Sequence, residues 1–589
     1  MPSEFELASQ RVTAEFLQTV LIVDDRAFDP PPRSQSGRDF HGEEGSEPAL
    51  DAPGRARYAQ APPESNEPSD QDFASTPDLG DAPGVDAASS GEVEDDPAQD
   101  EAHELNARAL VRALAKDGIY CAVVQPEPSD FGGLGDELVN LAQRADIVML
   151  DWVLNPGRGR RGEETLKIIR QLGKVGSAEG GRLCLIFLYT GETTVRNIID
   201  QVSATLAEIP GTQSVTRIDP FTVQRGSLRV TAYVKHTPMT ARSSVRARVL
   251  QEEELPERLI REFSRMNMGL VPHLVLKSLA VVRSNTHRIL ATMHKGLDAP
   301  YLAHQALLPH PDTAADHLVQ LAGAEINSIL HEFEVDETVN PEMVQKWIDG
   351  RLADDGNAFR TLFKPGTEAR DAMHELITKG VKVAKGSLQD DVAGGKGYRR
   401  ITSRVCQTGE DGEALDHEFA LLTSVRTQYG SRSPHLALGT IIREDRQEGG
   451  MLQSDYWLCV QPRCHSVRLS GPRKFPFVHL QVVGDGKFDL VVPSGDKDYP
   501  YVRLGIDLRP FESMMKSFTP TPGRGGSVYA KKSDDLFMFT DDDGGEYRFV
   551  AELRFEQAQR IANDYGSEFA SVGLDESEWL RRWSGSGDN

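Results

Sequence analysis

Cysteine is scarce. The chain has five, Cys121, Cys184, Cys406, Cys459 and Cys464, and no two are spaced Cys-x-x-Cys. An odd number at that spacing argues against a disulfide framework and for a reduced, cytoplasmic protein. Long apolar runs are missing too. No stretch of about 18 apolar residues is present to span a bilayer, so no membrane partner is expected. The opening MPSEFELASQ has no basic segment followed by an apolar one, so no secretory signal is read there. Basic charge is in deficit, with 65 Lys and Arg against 90 Asp and Glu, a net of −25. Phosphate backbones are met by positive surface, so nucleic acid is not an expected partner.

The deficit is uneven. Residues 41–101 hold 17 acids against Arg55 and Arg57, a net of −15, which leaves −10 for everything else. Residues 29–100 are rich in Pro, Gly, Ser and acids. They bury too little apolar surface to offset the entropy of ordering, so a disordered acidic insert is predicted there. At 589 residues the chain is too long for one core. Three units are predicted: 1–240, 241–400 and 401–589.

The first unit alternates strands and helices. VLIVDD ends in Asp24 and Asp25. YCAVVQP (120–126) and ADIVMLDW (145–152) follow, the latter ending in Asp151. RLCLIFLYTG (182–191) ends in Thr190, and RVTAYVKHTP (229–238) ends in Lys235. Helical spacing fills the gaps at 101–118, 133–145, 161–173 and 192–209. Strands this apolar are covered on both faces, which predicts an α/β, doubly wound, five-stranded parallel sheet. SVTRIDPFTVQRGS (214–227) is extra material between the last two strands, read as an added hairpin. Sheets of this kind gather their sites at the carboxyl ends of the strands. The two acids, Asp151, Thr190 and Lys235 all stand at such ends.

These residues, in this order, resemble a response-regulator receiver domain, the phosphoacceptor half of a two-component system. The resemblance covers 19–240 and implies a flavodoxin-like fold. It makes Asp151 the nucleophile that accepts a phosphoryl group. It makes Asp24, Asp25, Asp151 and the Val153 carbonyl the ligands of Mg2+, a hard cation that takes oxygen donors. Lys235 is then the cation that meets the phosphoryl oxygens, and Thr190 the hydroxyl that binds them. The implied partner is a histidine kinase or a histidine-kinase-like ATPase, and a homodimer is a further expected partner. The chain departs from the pattern in three places, one of them the extra segment 214–227. His236 and Thr237 separate Lys235 from Pro238, and Ala232 stands where receivers commonly carry an aromatic. Tyr233 is close but on the opposite face of its strand.

The remainder carries no motif for a named activity. Residues 244–400 read as helical, with 385–415 loop-like, and 416–550 read as a β-rich module closed by one or two helices. His287 and His294 lie on a predicted helix and read as ordinary face residues. The Cys459, Cys464, His465 group has no standard zinc spacing. Two function classes follow. In one, a phosphorylated receiver gates a C-terminal effector or interaction module. In the other, an unphosphorylated receiver-like fold serves as a docking scaffold. Large receiver proteins with unfamiliar C-terminal modules also resemble components of bacterial defence systems against phage.

Overall fold

The computed structural model describes residues 2–27, 105–126, 134–154, 160–176, 183–211, 213–237, 240, 244–308, 314–407, 410–428, 432–448, 451–484, 487–496, 500–534 and 536–570. The acidic insert predicted at 29–100 lies outside them, as does the DESEWLRRW segment near the carboxyl end.

The first helix, α1 (Glu4–Phe16), begins with a capping box in which Ser3 and Glu6 satisfy each other's backbone N–H groups. Then come β1 (Thr19–Val23), α2 (Ala107–Lys116), β2 (Tyr120–Val124), α3 (Leu134–Ala142) and β3 (Ile147–Leu150). They are followed by α4 (Glu163–Gly176), β4 (Cys184–Thr190), α5 (Val195–Ala207), β5 (Val215–Asp219), β6 (Thr222–Arg225), β7 (Leu228–Lys235) and β8 (Val249–Leu250). Strands β1, β2, β3, β4 and β7 pair in parallel in the order 2-1-3-4-7.

The predicted sheet had five strands, whereas the observed one has eight. The extra segment folds as the β5–β6 hairpin, and β6 lies antiparallel to β7 with Thr222 and Thr231 hydroxyls paired at 3.0 Å. Strand β8 adds two residues in parallel beside Lys235. A two-residue strand has no period to read in sequence, and β5 is too exposed to alternate clearly.

Side chains along the parallel strands alternate between two cores, as a pleated backbone dictates. Leu21, Val23, Val148, Leu150, Ile186 and Leu188 face α3, α4 and α5. Val20, Ile22, Ile147, Met149, Leu185 and Phe187 face the other way, where α1, α2 and a later helix, α6 (Leu255–Met266), cover them. Each such side chain contributes about 1.5–3 kcal/mol by leaving water.

Beyond α6 the chain runs through α7 (Leu270–Thr292), α8 (Asp298–Leu307), α9 (Ala314–Glu332), α10 (Pro341–Asp354), α11 (Ala369–Lys379), α12 (Val381–Ala384), α13 (Ile401–Val405) and α14 (Gly412–Ser424). Helix α1 lies against α7. Phe5 packs on His273 with ring centroids 5.7 Å apart, and Lys277 pairs with Glu15 at 2.6 Å. Arg283 ties α7 to the sheet's amino-terminal side through Asp146, at 3.1 and 3.0 Å, and through the Phe16 carbonyl at 3.0 Å.

Part of the stretch expected as loop, 385–415, is helical, and helix α14 covers the start of the expected β-rich stretch. Asp411 caps α14 through the Glu413 and Ala414 amides. From Thr440 to Glu552 nine strands, β9 to β17, form a second sheet, with every pairing antiparallel. The last described helix, α15 (Phe555–Ala570), packs Ala558 and Ile561 against this sheet. No helix among the described residues is long and apolar enough to cross a membrane.

Candidate functional site

Backbone pairing sets two acids side by side. Parallel strands β1 and β3 are in register to Val23 and Leu150. Just past their ends, the Asp24 N–H donates to the Val124 carbonyl at 3.2 Å and the Asp151 N–H donates to the Val23 carbonyl at 2.9 Å. Both carboxyls therefore emerge at one edge of the sheet, and both residues are buried. Two positions along in the sheet, β7 ends in Lys235, which is 3% exposed. Its Nζ donates to Asp24 Oδ2 at 2.8 Å and to Asp151 Oδ2 at 2.7 Å. Residues 211 positions apart in the chain thus share one ion-paired cluster.

Asp25 completes it. Oxygens of Asp24, Asp25 and Asp151 all lie within 4.8 Å of one another. Gln125 holds the backbone here, donating from Nε2 to the Asp25 carbonyl at 2.8 Å. The other oxygens are also engaged: Asp24 Oδ1 accepts from the Arg26 N–H at 2.9 Å, and Asp151 Oδ1 from the Val153 N–H at 3.3 Å.

Three carboxyls face one ammonium, and the electrostatics register the excess. Burial pushes Asp25 up to about 7, helped by the neighbouring Asp151 and Asp24. Burial also raises Asp24 above the usual carboxylate range, against the pull of Lys235. Burial pulls the Lys235 ammonium down, but Asp151 and Asp24 together outweigh it and raise it above its ordinary value. A crowded set of hard oxygen donors with surplus negative charge fits a divalent cation of the Mg2+ type.

Thr190 ends β4 and is fully buried. Its Oγ1 accepts from the Glu192 N–H at 3.3 Å, so the hydroxyl is oriented by its own turn and not by the acids. Glu192 in turn pairs with Arg161 at 2.6 Å.

Three supporting groups carried no signal in the sequence. The buried Thr165, at the start of α4, donates its hydroxyl to the carbonyls of Asp151 at 2.9 Å and Trp152 at 3.0 Å. Thr240 donates to the Lys235 carbonyl at 2.8 Å, fixing the loop where no proline follows the lysine directly. Gly162, at φ +82°, leaves room for the Trp152 ring, and a Cβ there would lie 2.1 Å from it. The aromatic reading is sharper. Ala232 faces the α3–α5 core, while Tyr233 lies on the opposite face, stacks on Phe187 at 4.9 Å and donates to Glu262 of α6 at 2.8 Å.

Residues 16–238 match the family of the response receiver domain. The chain carries an N-terminal receiver domain. No curated protein and no solved structure matches the chain. The receiver match begins at the end of α1 and closes just beyond Lys235, so it includes Asp24, Asp25, Asp151, Thr190 and Lys235, while Thr240 and Glu262 lie past its end. The match supports a signalling role in phosphorelay for this part of the chain.

Proposed function

We propose that Asp151 accepts a phosphoryl group in a Mg2+-dependent reaction, and that this controls the segment beyond 240. The observation that carries the reading is Lys235 Nζ held between Asp24 and Asp151, with Asp25 against them. The donor is a phosphohistidine on a histidine kinase or a histidine-kinase-like ATPase. A carboxylate oxygen of Asp151 attacks phosphorus. The P–N bond breaks, a P–O bond forms, and the imidazole nitrogen keeps the electron pair. Asp24, Asp25, Asp151 and the Val153 carbonyl would hold the cation, which neutralises charge on the transferring group. Lys235 stabilises the phosphoryl oxygens, and the Thr190 hydroxyl binds them once transfer is complete. Thr165 acts one step back, holding the Asp151 backbone so that the carboxyl keeps its aim.

Two contacts support a readout by the helices. Tyr233, two residues before Lys235, bonds Glu262 on α6, and Tyr189, next to Thr190, bonds the Leu250 carbonyl just before α6. A shift of the β4 and β7 ends on phosphorylation would reach α6, and through it α7, by these hydroxyls. The division into units at 240 and 400 belongs to the same proposal. So do a cytoplasmic setting and a place in a bacterial defence system.

The test is direct. The full chain is incubated with Mg2+ and acetyl phosphate, or with a cognate kinase, and scored for acid-stable, base-labile phosphate. One phosphate per chain, lost in Asp151→Ala and in EDTA, is expected. No incorporation from either donor overturns the proposal and leaves the docking scaffold.

A further inference from the structure

Helix α7 meets the receiver along a seam formed by α1 and the residues just before β3. Three ion pairs cross from the helices beyond 240 to that side. Lys277 pairs with Glu15 at 2.6 Å, Arg283 with Asp146 at 3.0 Å and Lys346 of α10 with Glu4 at 3.9 Å. In each, the acid stands on the receiver side and the base on the far side. Glu15 and Glu4 are exposed, so their pairs add little. Asp146 differs, with its side chain 4% exposed.

Arg283 enters a socket. Its Nη1 donates to the Phe16 carbonyl at 3.0 Å and to Asp146 Oδ1 at 3.1 Å, its Nη2 to Asp146 Oδ2 at 3.0 Å, and its Nε to Gln18 Oε1 at 3.1 Å. The guanidinium carbon lies 4.6 Å from the centre of the Phe16 ring. These partners all fall within the receiver match. The socket does not depend on its plug. Asp146 Oδ2 also accepts from the Gln18 N–H at 2.9 Å, the Thr19 N–H at 3.1 Å and the Thr19 hydroxyl at 3.2 Å. With Arg283 withdrawn the carboxylate keeps these three donors, so it is not left as a bare buried charge.

The rest of the seam is poorly satisfied. His273 of α7 is 3% exposed and packs on Phe5, yet its Nε2 has no hydrogen-bond partner. Ser9, one turn along α1 from Phe5, is buried too, and its Oγ has none either. At the junction of α6 and α7, the Asn267 Nδ2 is a third such group. Buried polar groups without partners favour any state in which water reaches them. The junction itself is short: Asn267, Met268 and Gly269 alone lie between the two helices.

We infer that Arg283 is the latch of a clasp, and that α7 parts from the receiver as a unit, turning at 267–269, while α6 and the sheet stay folded. Three features favour separation short of unfolding. The socket satisfies itself, and the open seam would wet its unpartnered groups. The sheet also keeps its cover, because Leu255, Leu259 and Phe263 of α6 face it, whereas α7 gives that core Leu276 alone. Local openings of this kind lie below the free energy of global unfolding. Asp146 and Asp151 stand at opposite ends of β3, so the clasp uses no part of the phosphoryl site and holds whether or not Asp151 accepts phosphate. It gives the receiver a closed hold on the segment beyond 240 that can be released without unfolding the sheet.

Hydrogen exchange of the full chain, followed peptide by peptide, tests this. Arg283→Met should speed exchange in α7 about ten- to a hundredfold, through loss of the charge-assisted contacts, and leave β3 and β4 unchanged. In about 1 M salt, where the screening length falls to about 3 Å, wild-type α7 should also exchange faster, and the Arg283→Met chain should respond less. Ser9→Ala combined with His273→Leu removes two unpartnered groups and should slow α7 about tenfold. Leu290→Ala, at an exposed position of the same helix, should change nothing. Should Arg283→Met fail to fold, Arg283→Lys keeps the charge without the paired N–H groups and should show the same pattern at smaller size. Acceleration shared equally by β3 and β4 overturns the inference. So does an α7 left unmoved by the Arg283 substitutions or by the Ser9 and His273 pair.

Discussion

Asp25→Asn should stabilise the metal-free receiver at neutral and alkaline pH, although it removes a residue assigned to the site. Asp25 is the most exposed of the three acids, and burial with two neighbouring carboxyls raises it from 3.8 to about 7. In the unfolded chain it ionises near pH 4, whereas in the folded site it resists until about 7. Folding therefore takes up a proton between those values, and stability falls as pH rises through the window. The full difference amounts to about 4 kcal/mol at 1.36 kcal/mol per pH unit. Partial exposure screens the group, so about 1–2 kcal/mol is the expected gain for the Asn variant at pH 8. At pH 4 the gain should vanish, because the wild-type side chain is then neutral in the fold. Bound Mg2+ supplies the missing charge and should reverse the order, leaving the wild type the more stable. Hydrogen exchange of peptides covering β1 and β3 reads the receiver alone, with urea midpoints as a second measure. A gain in EDTA that persists at pH 4, or no gain at pH 8, would refute the electrostatic account of the cluster.

Two further substitutions probe the cluster and its support. Lys235→Met leaves the buried Asp24 and Asp151 without their cation. It should cost about 3–5 kcal/mol in urea unfolding at pH 7 and abolish phosphate incorporation. A variant as stable as wild type would show that the ion pairs carry no net weight. Thr165→Val keeps the shape but removes the donor serving the Asp151 and Trp152 carbonyls. A loss of about 1–3 kcal/mol is expected, with faster exchange at the end of β3. Unchanged exchange there would show the hydroxyl to be dispensable.

The parallel strands were legible because each is an unbroken apolar run closed by a polar residue, as in IVML before Asp151 and CLIFLYT ending on Thr190. A strand covered on both faces has to read that way, and the chemistry has to stand at its end. The acids and Lys235 could thus be named without coordinates, although their meeting depends on strand order. What stayed hidden depends on closure of the fold. Thr165 looks like any helix-start hydroxyl, and its two carbonyl partners lie 13 and 14 residues back. Thr240 acts on a carbonyl five residues earlier, with no motif to announce it. Helix α1 could have been read, since Ser3 and Glu6 have capping-box spacing, but nothing in its sequence foretells a seat against α7. Val271, Val275 and Leu279 of α7, and Val319 and Ile326 of α9, are exposed although they repeat with the period of core-facing residues. Sequence therefore marks them as apolar faces without telling whether the chain itself covers them.

The β5–β6 hairpin shifts the rim of the receiver sheet away from its chemistry. In a five-stranded sheet the strand bearing Lys235 would be the last, with one side bare. Here β7 has β4 on one side and β6 and β8 on the other. The lysine grows from a plank nailed along both edges, and its position across from Asp24 and Asp151 is set by the carpentry on each side of it. Beside the first half of β7 the bare rim is β5, where Ile218 faces solvent, whereas at Lys235 itself the outer strand is β8. Anything that frays, grips or extends that rim does so two strands from Lys235, and the ion-paired cluster need not register it.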